Sequence, residues 1–366
     1  MTPIDNDHLR SLGWHPSFAA HLAQLTDASL EPARVIIRQK NRYVLADGVR
    51  EWEAEISGRI HYAARSSGDY PAIGDWVAVR KRPDEGSATI HTILERRSCF
   101  IRRNPGVREE EQIIAANIDL VFLVDAFDAG VNVRRLERYL VIAAQGGARP
   151  VIVLNKADLD PDADDVVDEV RTVLPGIPIV VTSATKQQGL KALLEHLKAG
   201  ETAALLGPSG AGKSTIANAL LGEERFETGE VREGDRRGRH TTSHRELVQL
   251  PSGGCLIDTP GMRELQLWDI DEEVQETFED IEELALKCKF RDCRHGNEPG
   301  CAVADAIERG ELDPGRLVNY EKMKKELAYQ ERRTDKAAQL REKERWKKIM
   351  KDFKKGKGQG DKYKGR

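Results

Sequence analysis

A glycine-rich segment in the second half of the chain has the residue types and spacing of a loop that binds phosphate groups. It fits the pattern G-x-x-x-x-G-K-[ST] and follows an apolar run. The sequence STIANALLG, which begins at the last residue of the pattern, is typical of a helix. Glycines let backbone N–H groups close around phosphate oxygens, and the N-terminus of the following helix adds positive potential. We expect Lys213 to bridge the β and γ phosphates and the Ser214 hydroxyl to bind Mg²⁺. The residues predicted to hold the nucleotide in this segment are Gly207, Pro208, Ser209, Gly210, Ala211, Gly212, Lys213, Ser214 and Thr215.

The sequence NKAD follows another apolar run, PVIVL, and predicts which base the nucleotide carries. Guanine presents two neighbouring donors, N1–H and the 2-amino group, which one carboxylate can accept together, whereas adenine offers no such pair. We therefore predict that Asp158 reads guanine, that Asn155 fixes the loop and that the Lys156 stem covers the base. Ser183 and Ala184, after the apolar run IPIVV, resemble the element whose backbone N–H meets guanine O6. Taken alone, NKAD fits an ordinary surface loop equally well.

Two segments beyond the phosphate loop have residues that would respond to a γ-phosphate. Asp258 opens DTPG after the apolar run CLI, and we expect it to hold the Mg²⁺ shell through water. The Gly261 amide would then meet the γ-phosphate. GRHTT lies between the phosphate loop and DTPG, where a switch threonine completes the Mg²⁺ shell, and Thr241 and Thr242 fit this role equally.

The group that orients the attacking water is not where many GTPases have it. Met262 follows DTPG at the position of the usual glutamine, and a thioether cannot orient water. We therefore expect slow hydrolysis by the chain alone, or a different catalytic group. The nearest candidate is His240, beside the two threonines, although a histidine that only packs this segment fits the sequence equally well.

These motifs occur in an unusual order. Common small GTPases run phosphate loop, switch I, DxxG, NKxD and SA, whereas here NKAD and SA come first, which indicates a circular permutation. From about residue 113 the chain alternates buried-strand runs with amphipathic stretches. This alternation predicts an α/β domain with a parallel sheet and helices on both faces, whose strand ends would bring the motifs together.

A cluster of cysteine and histidine near the C-terminal end has metal-ligand spacing, C-x₄-C-x-H-x₅-C. Three thiolates and one imidazole complete a tetrahedral shell, which predicts one structural rather than catalytic Zn²⁺. Free buried cysteines or a labile disulfide are the alternatives. The predicted ligands are Cys288, Cys293, His295 and Cys301.

The remaining segments predict three further parts of the chain. Short β-rich runs over 31–103, separated by turn sequences, predict five strands and favour an OB-fold barrel. An SH3-like barrel or a small sandwich fits the same pattern. Residues 1–30 predict a partly helical leader, 104–270 the permuted GTPase domain, 271–330 a mostly helical zinc-binding domain and 331–366 a basic tail.

The composition is that of a multidomain chain with no signal for export or membrane insertion. Its 366 residues exceed one ordinary domain, and 39% hydrophobic residues suffice for packed cores. No apolar run spans a membrane, and the first residues lack the order of a signal peptide, so we expect a cytoplasmic protein. The tail carries 15 Lys and Arg against 6 Asp and Glu, which predicts contact with a polyanion or a solvated charged helix.

Together the motifs resemble the circularly permuted GTPases called ribosome small subunit-dependent GTPase A. The resemblance covers about residues 31–325 and rests on NKAD, SA, GPSGAGKST, GRHTT, DTPG, the barrel pattern and the Cys/His cluster. It implies an OB-fold, a permuted GTPase domain and a zinc-binding C-terminal domain that use GTP, GDP, Mg²⁺ and Zn²⁺.

The resemblance also implies a biological role. It implies binding to the small ribosomal subunit and its rRNA late in maturation, with GTPase activity stimulated by the subunit and coupled to release. A monomer is the simple expectation. Two alternatives remain: a nucleotide-gated RNA-binding module in which hydrolysis is incidental, and an ATPase with a fortuitous NKAD.

Overall fold

The computed structural model describes residues 6–39, 42–104, 110–227, 246–258, 271–296 and 298–328. The chain divides into two compact units, Met1–Gln266 and Leu267–Arg366. The leader, the barrel and the central sheet all lie in the first unit, and the domain boundaries expected from the sequence stay predictions. Across the described ranges, no helix is both long and apolar enough to cross a membrane.

The barrel closes from five strands, as the alternating sequence predicts. In β3, for example, Trp52 and Ala54 point inward, while the alternating Glu51, Glu53 and Glu55 are exposed. The strands pair in the order β1-β2-β3-β5-β4, and β4 returns to β1, which is the connectivity of an OB-fold. The elements up to this point are α1 (Asn6–Ser11), α2 (Pro16–Ala23), β1 (Glu31–Gln39), β2 (Arg42–Ala46), β3 (Glu51–Ile56), α3 (Gly58–Ala63), β4 (Trp76–Arg82) and β5 (Ser87–Ile93).

The leader packs on the barrel through aromatic side chains. The Trp14 ring meets the Trp76 ring edge-on, with centroids 4.7 Å apart, and the buried Phe18 lies 6.0 Å from the same ring. The two leader helices therefore contribute to the hydrophobic core of the first unit.

A hairpin that the sequence analysis did not separate joins the barrel to the central sheet. Its strands are β6 (Cys99–Asn104) and β7 (Glu110–Ala116). Phe100 is buried, and a Cβ built on Gly146 would overlap its ring, so glycine lets the hairpin approach the sheet's first helix.

The central sheet has the predicted α/β architecture. Its strands run in the order β10-β9-β8-β11-β13-β12, and only β12 among these six is antiparallel to its sheet neighbour β13. β8, with seven buried residues, is a central strand, as its apolar run predicts. The elements are β8 (Leu120–Ala126), α4 (Val133–Gln145), β9 (Arg149–Asn155), α5 (Ala163–Val173), β10 (Ile179–Val181), α6 (Leu190–His196), β11 (Thr202–Leu206), α7 (Lys213–Leu221), β12 (Glu246–Gln249) and β13 (Cys255–Asp258).

Arg34 joins the leader, the barrel and the start of the central sheet. It is buried, and its guanidinium donates to the carbonyl oxygens of Gly74 (3.2 Å), Asn117 (3.1 Å) and Leu12. Burial lowers the pKa of this group, with the charges of Cys255 and Asp119 opposing the shift. Because each guanidinium nitrogen has a carbonyl partner, Arg34 links these three parts in one compact unit.

The described residues of the second unit are mostly helical. α8 (Asp271–Thr277) and α9 (Glu279–Ala285) precede the Cys/His loop, and α10 (Ala302–Glu308) and a helix over 314–328 follow it. Arg316 binds both carboxylate oxygens of Asp280 at 2.8 and 2.9 Å, and the Phe278 and Tyr320 rings pack 5.5 Å apart. These contacts fix the last helix against α9.

Candidate nucleotide site and metal centre

The phosphate loop lies between β11 and α7, at the carboxyl ends of the parallel strands. Gly210 and Gly212 have φ of +81° and +88°, a region that favours glycine. A Cβ on Gly207 would overlap the Val124 carbonyl oxygen, so the loop can approach β8 only with glycine there. Lys213 Nζ donates to the carbonyl oxygens of Gly207 (2.9 Å) and Pro208 (2.6 Å), which holds its ammonium against the loop.

Asn155 joins three loops at this edge of the sheet. Its side chain is buried, and Nδ2 donates to Ala211 O in the phosphate loop at 2.9 Å. Its Oδ1 accepts from Thr182 Oγ1 at 3.1 Å and from the Ala184 amide at 3.2 Å. The structure therefore brings together the phosphate loop, NKAD and SA, and gives Asn155 contacts suited to its predicted role.

Asp158 and Ser183 meet beside this junction. Ser183 Oγ donates to Asp158 Oδ1 at 2.6 Å, and Asp158 is exposed, as a residue that reads a base must be. The backbone amides of Ser183 and Ala184 donate within the protein, to Gln188 O and Asn155 Oδ1 respectively. That one of these amides meets guanine O6 stays a prediction.

Of the residues predicted to lie near the γ-phosphate, the structure describes only some. Asp258 is the last residue of β13, at the same edge as the phosphate loop, because β13 runs parallel to β11. The other predicted residues of this side lie outside the described residues: His240, Thr241, Thr242, Gly261 and Met262.

Sequence reasoning missed two residues that support the site. Thr182 is a hydrogen-bond partner of Asn155, and Asp128 binds Lys156 Nζ at 2.6 Å. Asp128 lies in a turn 28 residues before its partner in the chain, outside every motif, so no local pattern points to it.

The four predicted zinc ligands converge in the second unit. The ligand atoms of Cys288, Cys293, His295 and Cys301 all lie within 4.8 Å of one another. Cys288 Sγ is 3.9 Å from Cys301 Sγ, and both sulfurs are 3.7 Å from His295 Nδ1. Zn–S bonds of about 2.3 Å in a tetrahedron place two sulfurs about 3.8 Å apart, so the donor set fits Zn²⁺.

The electrostatics of this cluster suit a cation. Burial raises the pKa of Cys288, but hydrogen bonds from the Val303 and Ala302 amides and the neighbouring thiols outweigh it and lower that pKa. At Cys293 the His295 amide lowers the pKa, yet burial and the other two thiols raise it to about 11. Three thiolates in this space therefore repel one another unless a positive charge lies among them.

NKAD and SA precede the phosphate loop along the chain but lie beside it in the structure. This permuted order of motifs around one parallel sheet defines a circularly permuted GTPase. The RsgA GTPase family model matches residues 93–268. The small ribosomal subunit biogenesis GTPase RsgA of Opitutus terrae is 46% identical over 350 residues, covering 93% of this chain and 95% of that relative. The chain therefore belongs to the RsgA GTPase family, which confirms the resemblance inferred from its motifs.

Solved structures agree with this assignment. YjeQ from Thermotoga maritima is 29% identical, with a TM-score of 0.62 over 82% of this chain and 99% of that one. YloQ, described as a circularly permuted GTPase, is 25% identical, with a TM-score of 0.59 over 83% and 97% of the two chains. An ABC transporter model also matches residues 190–355, a range that includes the phosphate loop. Family membership makes the chain a GTP-hydrolysing enzyme that uses GTP, GDP and Mg²⁺, which rules out the ATPase interpretation.

Proposed function

We propose that this GTPase is a cytoplasmic assembly factor that binds the small ribosomal subunit late in its maturation. GTP hydrolysis, stimulated by the subunit, is coupled to release of the protein, which acts as a monomer. The observation that carries the proposal is the likeness to a small ribosomal subunit biogenesis GTPase over 93% of this chain. The matched region therefore includes the barrel, the GTPase domain and the cysteine cluster together.

We assign the roles of the site residues by the same proposal. Asp158 reads guanine, Asn155 holds its loop, and Lys213 stabilises charge on the β and γ phosphates. Mg²⁺ neutralises phosphate charge when bound, and Ser214 with one of the switch threonines would hold it. The nucleotide-contacting set is Asn155, Lys156, Asp158, Ser183, Ala184, Gly207–Thr215, Asp258 and Gly261.

One structural Zn²⁺ bound by the three cysteines and the histidine completes the proposal for the second unit. A full protein shell leaves no position for substrate, so this metal stabilises the fold and takes no part in hydrolysis.

Exposed basic side chains of the second unit support contact with rRNA. The loop that carries the predicted zinc ligands exposes the Phe290 ring, and Lys289 Nζ lies 5.6 Å from that ring. Cationic groups neutralise phosphates, and an exposed ring can stack on an unpaired base. The exposed basic residues of this loop are Lys287, Lys289, Arg291 and Arg294.

Phosphate release tests the proposal directly. We expect slow GTP hydrolysis by the protein alone, strong stimulation by purified small ribosomal subunits and no stimulation by large subunits. If neither subunit changes the rate while GTP is still bound in preference to ATP, the GTPase assignment stands and the ribosomal role is wrong.

Two further experiments separate catalysis from incidental hydrolysis. His240→Ala should lower turnover on the small subunit without changing GTP affinity, and unchanged turnover would remove His240 from catalysis. A non-hydrolysable GTP analogue should trap the wild-type protein on the subunit. Release at the rate seen with GTP would instead favour the nucleotide-gated RNA-binding module.

A further inference from the structure

A salt bridge beside the predicted guanine site joins NKAD to a turn that lies outside all the recognised motifs. Lys156 Nζ donates to Asp128 Oδ2 at 2.6 Å. The side chains are 29% and 37% exposed, so the pair lies at the surface where a nucleotide base would be read. The Lys156 stem is predicted to cover the base, whereas no predicted role in the nucleotide site belongs to Asp128.

The sheet explains why these two residues meet. β8 and β9 are adjacent parallel strands whose register pairs Ala126 with Asn155. The segments that leave their carboxyl ends are therefore neighbours, and Asp128 and Lys156 lie two and one residues beyond the paired positions. Lys156 has φ of +64°, an uncommon conformation for a residue with a Cβ, which sets the direction in which its side chain leaves the backbone.

Asp128 is held on a turn that is itself fixed from within. The buried Asp125 accepts from the amides of Ala126 (2.9 Å) and Asn132 (3.2 Å), and from Arg135 Nη2 at 2.7 and 2.8 Å. The Gly130 amide closes the turn on Phe127 O at 3.0 Å. A carboxylate on so constrained a turn is pre-organised to receive an ammonium group.

We propose that Asp128 is a positioning residue for guanine-nucleotide binding. By holding the Lys156 ammonium at the edge of the site, it keeps the aliphatic stem extended over the face of the base whose edge Asp158 reads. The long lysine side chain then loses its conformational freedom before the nucleotide arrives rather than on binding. This inference rests on the proposed roles of Lys156 and Asp158.

The salt bridge should contribute to binding of the base and not of the phosphates, so its loss should weaken the binding of GTP and GDP equally. We expect Asp128→Ala to raise the Kd for GTP and for GDP by the same factor, about 3- to 5-fold, because exposed ion pairs are weak. The KM for GTP should rise with kcat retained. The effect should shrink as salt is raised, and Asp128→Glu should recover most of the affinity. Asp128→Asn should behave like Asp128→Ala. Because asparagine has nearly the shape of aspartate, this variant removes the charge even if alanine disturbs the turn.

Two controls decide the outcome. Asp168→Ala makes the same charge change by removing an exposed carboxylate from its 3.0 Å bridge to Arg171 on α5, and it should leave the Kd unchanged. In a Lys156→Met background, Asp128→Ala should add no further loss. Loss for GTP but not GDP, an equal loss in Asp168→Ala, or a further loss in the Lys156→Met background would overturn the proposal. Failure of the guanine site itself would show separately, as wild-type protein that binds GTP and ATP equally.

Discussion

Replacing Cys301 with serine is expected to remove zinc from the chain and to loosen the loop between α9 and α10. Cys301 is the buried member of the cluster, and its sulfur also accepts from the Ala304 amide at 3.4 Å, at the start of α10. Binding of structural Zn²⁺ contributes about 10–16 kcal/mol of folding free energy in small zinc domains. Bound zinc, measured by elemental analysis, should fall from one per chain to well below that, and amide hydrogen exchange should rise between α9 and α10.

Cys99→Ser is the matched control, because Cys99 lies on β6 in the first unit and outside the cluster. It should keep one zinc per chain. Nucleotide affinity of Cys301→Ser should stay within about twofold of wild type, because none of the residues proposed to contact the nucleotide lies between α9 and α10. One zinc retained by Cys301→Ser, or no zinc in the wild type, would contradict the predicted ligand set.

Periodicity predicted the barrel strands and the central parallel strands of the first unit because burial leaves a local record. Trp52 and Ala54 alternate with exposed glutamates along β3, which is the period of a strand with one buried face. β8 is buried along its whole length, and its continuous apolar run is what a central parallel strand requires. The motifs then predicted a site at one edge of the sheet, since strands of a parallel sheet end there, and the structure brings the phosphate loop, NKAD and SA together at that edge.

Contacts between distant parts of the chain left no such record. The Arg34 guanidinium finds its acceptors at Leu12, Gly74 and Asn117, up to 83 residues away, and nothing near Arg34 indicates them. β12 joins the central sheet to the barrel through the pairing of Glu246 with Ile37, which only the assembled sheet reveals. The same holds for Asp128, whose partner is set by the register of β8 on β9 rather than by any local spacing.

Asp158→Asn is expected to change the nucleotide preference of the enzyme from GTP to xanthosine triphosphate. The carboxylate is exposed, and one oxygen already accepts from Ser183 Oγ at 2.6 Å, a bond that asparagine Oδ1 can keep. The new amide donor would then face the two guanine donors, whereas xanthine presents a carbonyl oxygen at the same position. The local fold should survive while the base-reading chemistry is inverted.

The size of the effect follows from the charge that is lost. Hydrogen bonds to a charged group contribute about 1.5–3 kcal/mol each, so losing both bonds to guanine costs about 3–6 kcal/mol. About 1.4 kcal/mol is a factor of ten, so GTP affinity should fall about 100-fold or more. Competition against a fluorescent nucleotide measures both affinities. Asp160→Asn removes a carboxylate two residues further on, which accepts from the Asp162 amide at 2.9 Å, and should leave the preference for GTP unchanged. A neutral amide cannot replace the carboxylate as acceptor of the hydrogen bonds from both guanine donors. If Asp158→Asn binds GTP as the wild type does, another group therefore reads the base, and the role assigned to NKAD is wrong.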